Sequence, residues 1–590
     1  MTWMKKYRQA FLWVQVLFIY AWLTVLSPLS VTDTYYSVYL ICGIAGLLCL
    51  ADNYRFVSGG NVDQPNVVVL TTFAVIFSCA VALANYVLFE PLSVLQNLFD
   101  LICCLFGGAS IGYQVLTCLM RRLPLKAKES QRNHPIHVFF LVFGSIAVID
   151  LLYLLFVLYP GVLTLDSLST IAQIMGDKPY NNTMPYWHTV TVGVFVKLGF
   201  ALFGNMNAAV GLFHGVQILF MAACFGCVLV TLYQMGMPKL VMVAVYAIHA
   251  FMPYNIVYSI TLWKDIPFAG SAVLMVTGLY RLLRNIGKSK VLNYVIFVVG
   301  TIGFSLLRTN GWYAFLVTVL VMFFLLRKSH KKLLVLMAIV LVVCWILINP
   351  LLDILGVSST NMVEAFAVPM QQIARVVSNG RELTQDETTM LSEIFSMDEL
   401  AEAYDPVTVD PVKFDTFRYD KVDYIMDHLG EYLKIYLDLG ARYPDDYLKA
   451  WVDETKGYWN GGYFFSAYTL KTEKNVYDIA TTGGDNMLAK LYAAAFRYIE
   501  KPAILQFTIS IGLYVWGLVS CCVINALKRR KECLLTIPLL VLVAGLWLGT
   551  PVYAEFRYAY PFILAMPLIL CATFYRTEDE LGGAEGKEVQ

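Results

Sequence analysis

Runs of about twenty apolar residues recur along this chain, and each is long enough to cross a bilayer. The clearest is IHVFFLVFGSIAVIDLLYLLFVL, residues 136–158. In hydrocarbon a backbone must satisfy its own polar groups, so such runs fold as helices or not at all. Candidate spans lie at about 9–28, 35–51, 66–89, 92–118, 136–158, 206–233, 239–257, 265–283, 291–307, 311–326, 333–352, 503–525, 533–550 and 560–575. The chain is 14% charged, where a soluble protein carries roughly 25%. The expected class is therefore an all-α polytopic membrane protein with about 14 transmembrane helices. The start, MTWMKKYR, leads into QAFLWVQVLFIYAWLTVLSP, which reads as a span rather than a cleavable leader.

Basic loops set the expected orientation. MKKYR, RRLPLKAK (121–128), RLLRNIGKSK (281–290), RKSHKK (327–332) and LKRRK (527–531) should all be cytoplasmic. Alternating the spans between these anchors works only if HTVTVGVFVKLGFALFG (188–204) does not cross. That segment is short for a span and carries Lys197 at its middle, so it is expected as an interfacial helix on the outer face. The loops at 159–187, 258–265, 306–311 and 550–561 then lie outside. So does the segment 353–500, which holds 25 Asp+Glu against 13 Lys+Arg. Its aromatic residues at helical spacing predict a folded, mainly helical extracytoplasmic domain. The thirteen cysteines avoid 353–500, so this domain needs no disulfide. Cys224 and Cys227 form a C-x-x-C inside a span and read as packing residues.

The expected division is a four-helix membrane segment (1–135), a membrane module (136–352), the extracytoplasmic domain (353–502), C-terminal membrane helices (503–576) and a cytoplasmic tail (577–590). Ionisable residues are sparse in the first four spans, Asp100 being the main exception. They gather instead in the outer loops: Asp166, His188, Lys264 with Asp265, Arg308, and Glu555 with Arg557. Ionisable groups at a membrane boundary are costly unless solvated or paired. The cations suit a phosphate or diphosphate headgroup. The carboxylate suits a general base acting on a hydroxyl. Each residue also has a plainer reading. Lys264 and Arg308 can snorkel. Asp265 and Asp166 can cap helices. Glu555 and Arg557 can pair with each other, and His188 can be an ordinary interfacial histidine.

An aspartate in the first large outer loop of a polytopic module, here YPGVLTLDS (159–167), resembles the GT-C class of membrane glycosyltransferases. The loop looks like that of the protein O-mannosyltransferase and aminoarabinose transferase kind, in which an H/K-P-P motif follows the aspartate. This chain has MPYWHTV (184–190) in that place. EFRYAYPF (555–562) resembles the R-Y-x-x-P turn before the final helices of such enzymes. The chain is also similar to a group of Gram-positive membrane proteins assigned to this class. The matching stretches are YPGVLTLDS, LWKDIPF (262–268), LLRTNGWY (306–313), EAFAVPMQQIARVV (364–377) and ARYPDDYLKAWVDETKGYW (441–459). This resemblance covers about residues 136–575.

The resemblance implies an inverting transfer of a sugar from a polyprenyl-phosphate carrier to a cell-surface glycan, teichoic acid or protein acceptor. Asp166 would be the catalytic base and Lys264, Arg308 and Arg557 the phosphate ligands. His188, Asp265 and Glu555 would support them. No metal ligand is expected, because the chain lacks D-x-D, although a divalent cation stays open; no other cofactor is expected. Neither G-x-G-x-x-G after a strand nor a P-loop is present. The expected partners are the lipid-linked sugar, the acceptor and the bilayer, with no nucleic acid. The expected location is the cell membrane, multi-pass, with the active site facing outward. YWNGGYFF (458–465) offers aromatic faces for sugar rings, or a hydrophobic core. The rival reading is a transporter or flippase of lipid-linked glycans, which should show polar groups in broken helices at mid-bilayer. A structural partner in envelope assembly is the third.

Overall fold

In the computed structural model the described residues are 2–31, 36–58, 66–90, 93–122, 125–127, 134–359, 362–463, 468–500 and 503–576. The fold is all-α, and the long apolar helices make it a multi-pass membrane protein. Helices α1 (Thr2–Leu26), α2 (Tyr36–Ser58), α3 (Val67–Ala84) and α4 (Val94–Arg122) come first. They share a small core around Trp22, Cys104 and Ile111.

The next group is α5 (Pro135–Phe156), α6 (Leu165–Met175), α7 (Tyr186–Phe203), α8 (Met206–Gln234), α9 (Lys239–Phe251), α10 (Pro253–Ser259), α11 (Asp265–Arg284), α12 (Lys290–Leu306), α13 (Thr309–Leu326) and α14 (Lys331–Ile348). Then come α15 (Pro350–Ile354), α16 (Ala367–Ser378), α17 (Gln385–Ile394), α18 (Met397–Ala403), α19 (Val422–Asp427), α20 (Leu429–Arg442), α21 (Pro444–Thr455) and α22 (Met487–Glu500). The chain closes with α23 (Ala503–Ile509), α24 (Ile511–Leu527), α25 (Ile537–Gly549) and α26 (Phe556–Phe574). Two-residue strands are incidental: β1 (Leu125–Lys126) pairs in parallel with β4 (Tyr575–Arg576), and β2 (Leu158–Tyr159) pairs antiparallel with β3 (Thr482–Gly483).

Among the described residues eleven helices are long and apolar enough to span, or twelve if the bent pair α9–α10 is one span. Three shorter apolar helices, α12, α24 and α25, accompany them. With α7 set aside these coincide with the fourteen expected spans. The expectation that α7 is too short is corrected: its 18 residues pass the same test as α3. Its packing still sets it apart. Trp187 near its start donates from its indole N–H to Leu347 O at the end of α14, 3.0 Å away. Eleven positions beyond His188, Gly199 lies against Ala209 in the first turn of α8. The last turn of α14 and the first turn of α8 belong to the same end of the bundle. A helix that touches both runs along that end.

The centre of the bundle is α11, buried along nearly its whole length. It meets α12 through glycine. A Cβ at Gly278 would strike the backbone of Phe297, and one at Gly300 the backbone of Met275. In lipid no hydrophobic force drives helices together, and small residues permit the close backbone approach that does. At the α9–α10 junction the chain bends by 51°. Pro253 supplies no N–H there. Asn255 restores the lost bonds, donating from Nδ2 to Ile248 O (2.9 Å) and His249 O (3.3 Å).

Residues 362–447 form a second core around Ile373, Leu391, Phe395, Leu400 and Phe417. The helical character expected of the 353–500 segment is what the chain adopts. The segment is not a separate body, because Val452, Tyr458 and Trp459 join the core of the membrane helices. Of the two readings of 458–465, the hydrophobic core is the one Tyr458 and Trp459 adopt. Tyr458 is fully buried, and its hydroxyl donates to Val552 O (2.8 Å) while accepting from Glu555 N–H (3.0 Å). Phe464 and Phe465 lie outside the described residues, as does the tail 577–590.

Candidate functional site

The loop after α5 is placed by the loop before α11. Val162 N–H donates to Ile260 O (2.9 Å) and Leu262 N–H to Val162 O (3.2 Å). Helix α6 then begins at the N-cap Thr164, and its start is stitched to the same neighbour. Ser167 Oγ accepts from Thr164 N–H (3.0 Å) and donates to Leu262 O (2.8 Å). Trp263 Nε1–H donates to Thr164 Oγ1 (2.7 Å). Asp166 in the first turn of α6 is thereby held beside Trp263, Lys264 and Asp265. The helix is capped by Thr164, so the capping explanation of Asp166 fails.

Asp166 accepts from Arg557 Nη1 at 2.8 Å, and its side chain remains 36% exposed. Arg557, from the first turn of α26, also lies 3.4 Å from Glu555 Oε1, and its guanidinium stands over the Trp263 ring at 4.9 Å. Arg308, between α12 and α13, donates to Asp265 Oδ1 (2.6 Å) and stands over the Tyr558 ring at 4.7 Å. The Arg308 turn admits only glycine at 311, where a Cβ would collide with Phe304 O. Lys264 donates to Thr183 O at 2.8 Å, in the loop that leads to α7. It is therefore directed into the protein rather than snorkelling. Asp265 caps no helix; it is almost wholly buried, and its Oδ2 has no hydrogen-bond partner among the described residues.

His188 is buried facing the charges of Lys264 and Asp265. Neither ring nitrogen has a hydrogen-bond partner among the described residues. All seven residues singled out in the sequence thus converge from α6, α7, α11, α26 and the turn before α13. Trp263, Tyr558 and Tyr258 were missed, though two of them adjoin the charged residues in LWKD and EFRY. Arg557 and Arg308 rest on the faces of Trp263 and Tyr558, a cation–π arrangement that holds guanidiniums without neutralising them. The buried Asp150 of α5 was also missed, inside the very run that opened the sequence analysis.

The electrostatics are opposed in sign at two carboxyls. Burial pushes Asp166 up, but Lys264, Arg557 and Arg308 outweigh it and hold the group below the ordinary carboxylate value. Burial raises Glu555, opposed by Arg557 and reinforced by the Asp265 and Asp166 carboxylates. Burial lowers Lys264 against the pull of Asp166 and Asp265. A cleft of 420 Å³ opens beside the cluster, lined by Val552, Glu555 and Arg557 on one side and by Thr408, Asp410, Pro411, Phe414 and Asp415 on the other. Among the described residues no three His, Cys, Asp or Glu side chains converge as a metal site requires.

Residues 177–587, well over half of the 590, match a family model described as "Family of unknown function (DUF6020)". The chain belongs to this family. His188, Lys264, Asp265, Arg308, Glu555 and Arg557 fall within the matched stretch and Asp166 just before it. No curated protein and no solved structure matches the chain.

Proposed function

We propose that this member of the family transfers a sugar from a polyprenyl-phosphate carrier to a hydroxyl of a cell-surface acceptor on the outer face of the membrane. The observation that carries the reading is the joining of Asp166 to three cations, Lys264, Arg308 and Arg557, at one end of the helix bundle. A lipid phosphate presents its ester oxygen at that depth, and guanidinium pairs bind phosphate with directional, charge-assisted bonds. In this reading the incoming phosphate draws Arg557 away from Asp166. The freed carboxylate takes the proton of the acceptor hydroxyl. The acceptor oxygen bonds to the anomeric carbon as the bond from that carbon to the phosphate oxygen breaks. Polyprenyl phosphate leaves with the electron pair, held by the same cations, and the configuration inverts. Asp166 is a weak base while Arg557 holds it, so the donor itself raises its basicity.

The second reading, transport without chemistry, has one observation in its favour. Asp150 is buried in α5 close to the bent pair α9–α10, with Ser259 as its hydrogen-bonding neighbour. Polar groups beside a broken helix are what transporters use. One experiment decides between them. Protein in nanodiscs is given a polyprenyl-phosphate sugar and a mixture of surface polymers, and the lipid product is analysed by mass spectrometry. Free polyprenyl phosphate appearing with wild type and not with Asp166→Asn supports transfer. Intact donor that only changes leaflet in liposomes overturns it in favour of transport.

A further inference from the structure

The cleft beside Arg557 is walled by two pieces of chain that are pinned together. Thr408 Oγ1 donates to Pro551 O (3.1 Å), Val409 N–H donates to the same oxygen (3.1 Å), and Tyr553 N–H donates to Val407 O (3.0 Å). One wall is the turn of Val552, Glu555 and Arg557; the other carries Asp410, Phe414 and Asp415. Arg557 lines the cleft and also holds Asp166, so the cleft and the carboxylate that would take the proton share one arginine. Phe414 is 62% exposed, a large apolar ring left in water on the rim of a polar opening. Lys413 is buried, 3.5 Å from Asp410 Oδ1 and 4.6 Å from the centre of the Phe414 ring, so its charge is already engaged. Arg557 is engaged by Asp166 and Glu555 at rest, and in the transfer reading by the donor phosphate. The groups left for an occupant are therefore the Asp415 carboxylate, the part of Asp410 that stays 44% exposed beyond its pairing with Lys413, and an aromatic face.

We infer that this cleft is the acceptor site and that it selects polyhydroxylated acceptors free of anionic groups. The inference rests on the transfer reading above and narrows it. Carboxylates accept only, so they pair with the hydroxyl hydrogens of a sugar ring or polyol. The apolar face of such a ring covers the exposed aromatic surface. A phosphate-bearing polymer brought against Asp410 and Asp415 meets like charge in a concave, partly desolvated opening, where repulsion discriminates. The surrounding domain, with 25 acidic against 13 basic residues over 353–500, repels it further. A glycerol- or ribitol-phosphate polymer is accordingly excluded as acceptor, and a neutral glycan is retained.

The test uses the full chain in nanodiscs and three probes: a neutral cell-wall-type oligosaccharide, the same oligosaccharide carrying phosphate groups, and undecaprenyl phosphate. Phe414→Ala and Asp415→Lys alter exposed side chains and leave the pinned backbone intact. Wild type should bind the neutral glycan at least fivefold more tightly than the phosphorylated one. Phe414→Ala should lose most of that binding, and Asp415→Lys should narrow or reverse the preference. Undecaprenyl phosphate should bind all three proteins alike. Equal or tighter binding of the phosphorylated glycan to wild type overturns the inference, as does glycan binding unchanged in both variants. Failure of undecaprenyl phosphate to bind wild type overturns the transfer reading instead, which the glycan arms do not address.

Discussion

Asp166 is one hydrogen bond away from being silent. Its partner Arg557 is anchored on the Trp263 face and shared with Glu555, so the resting site is an ion pair rather than a free base. Replacing it by Asn keeps the size, and Thr164 continues to cap the helix. We expect Asp166→Asn to reach the membrane in normal amounts and to lose at least about 100-fold in transfer, the low end for a missing general base. Near-normal turnover would remove Asp166 from the chemistry. The pair also has a pH signature. The folded-state carboxyl lies below its unfolded value near 3.9, so its stabilisation is complete above that value and fades only as pH falls through the lower folded one. The melting-temperature gap between wild type and Asp166→Asn should be flat from pH 8 to about 5 and close below about 4. A gap that closes near neutrality would contradict the direction of the shift.

At the scale of elements the informative helix is α7. Hydropathy and length alone pass it as a span. Its contacts with the end of α14 and the start of α8 keep both its halves at one end of the bundle. An impermeant thiol reagent should therefore label cysteines placed at Asp177 and at Asn205 from the same side of the membrane. Labelling from opposite sides would make α7 a crossing helix and reverse every loop that follows it. The adjoining α6 shows how a short helix is aimed. Ser167 and Thr164 are fastened to Leu262 and Trp263, and the aspartate between them has no choice of neighbour. The two hydroxyls are the stitches between two loops.

At the scale of the molecule the 353–500 segment and the membrane bundle are one packed body. Trp451 donates to Trp547 O at 2.7 Å and stacks on Trp459. Tyr86 donates to Asp453 (2.8 Å), and Lys449 pairs with Glu90, so the four-helix N-terminal segment is tied in as well. Trp451→Ala should destabilise the protein by about 3–5 kcal/mol, as truncation of large core aromatics does. The loss should appear as one transition by both tryptophan fluorescence and proteolysis of the 353–500 segment. Separate transitions for segment and bundle would show two independent bodies.

The all-α, multi-pass character was legible in the sequence, although eleven or twelve of the described helices, not fourteen, are long and apolar enough to cross. Hydrocarbon forbids unpaired backbone groups, and that constraint acts residue by residue along the chain. That these seven residues stand at the edges of apolar runs was legible for the same reason: charge there is costly wherever it stands. Which of them touch was not. Pairing Asp166 with Arg557 and Arg308 with Asp265 depends on segments separated by 391 and 43 positions. No local pattern encodes those distances. The burial of Tyr458 and Trp459 was undecidable for a similar reason, since an aromatic run has the same hydropathy on a surface as in a core. The long-range packing of α21 and its following turn against α24 and α25 decided it, where Trp516 donates to Trp459 O and Trp451 to Trp547 O.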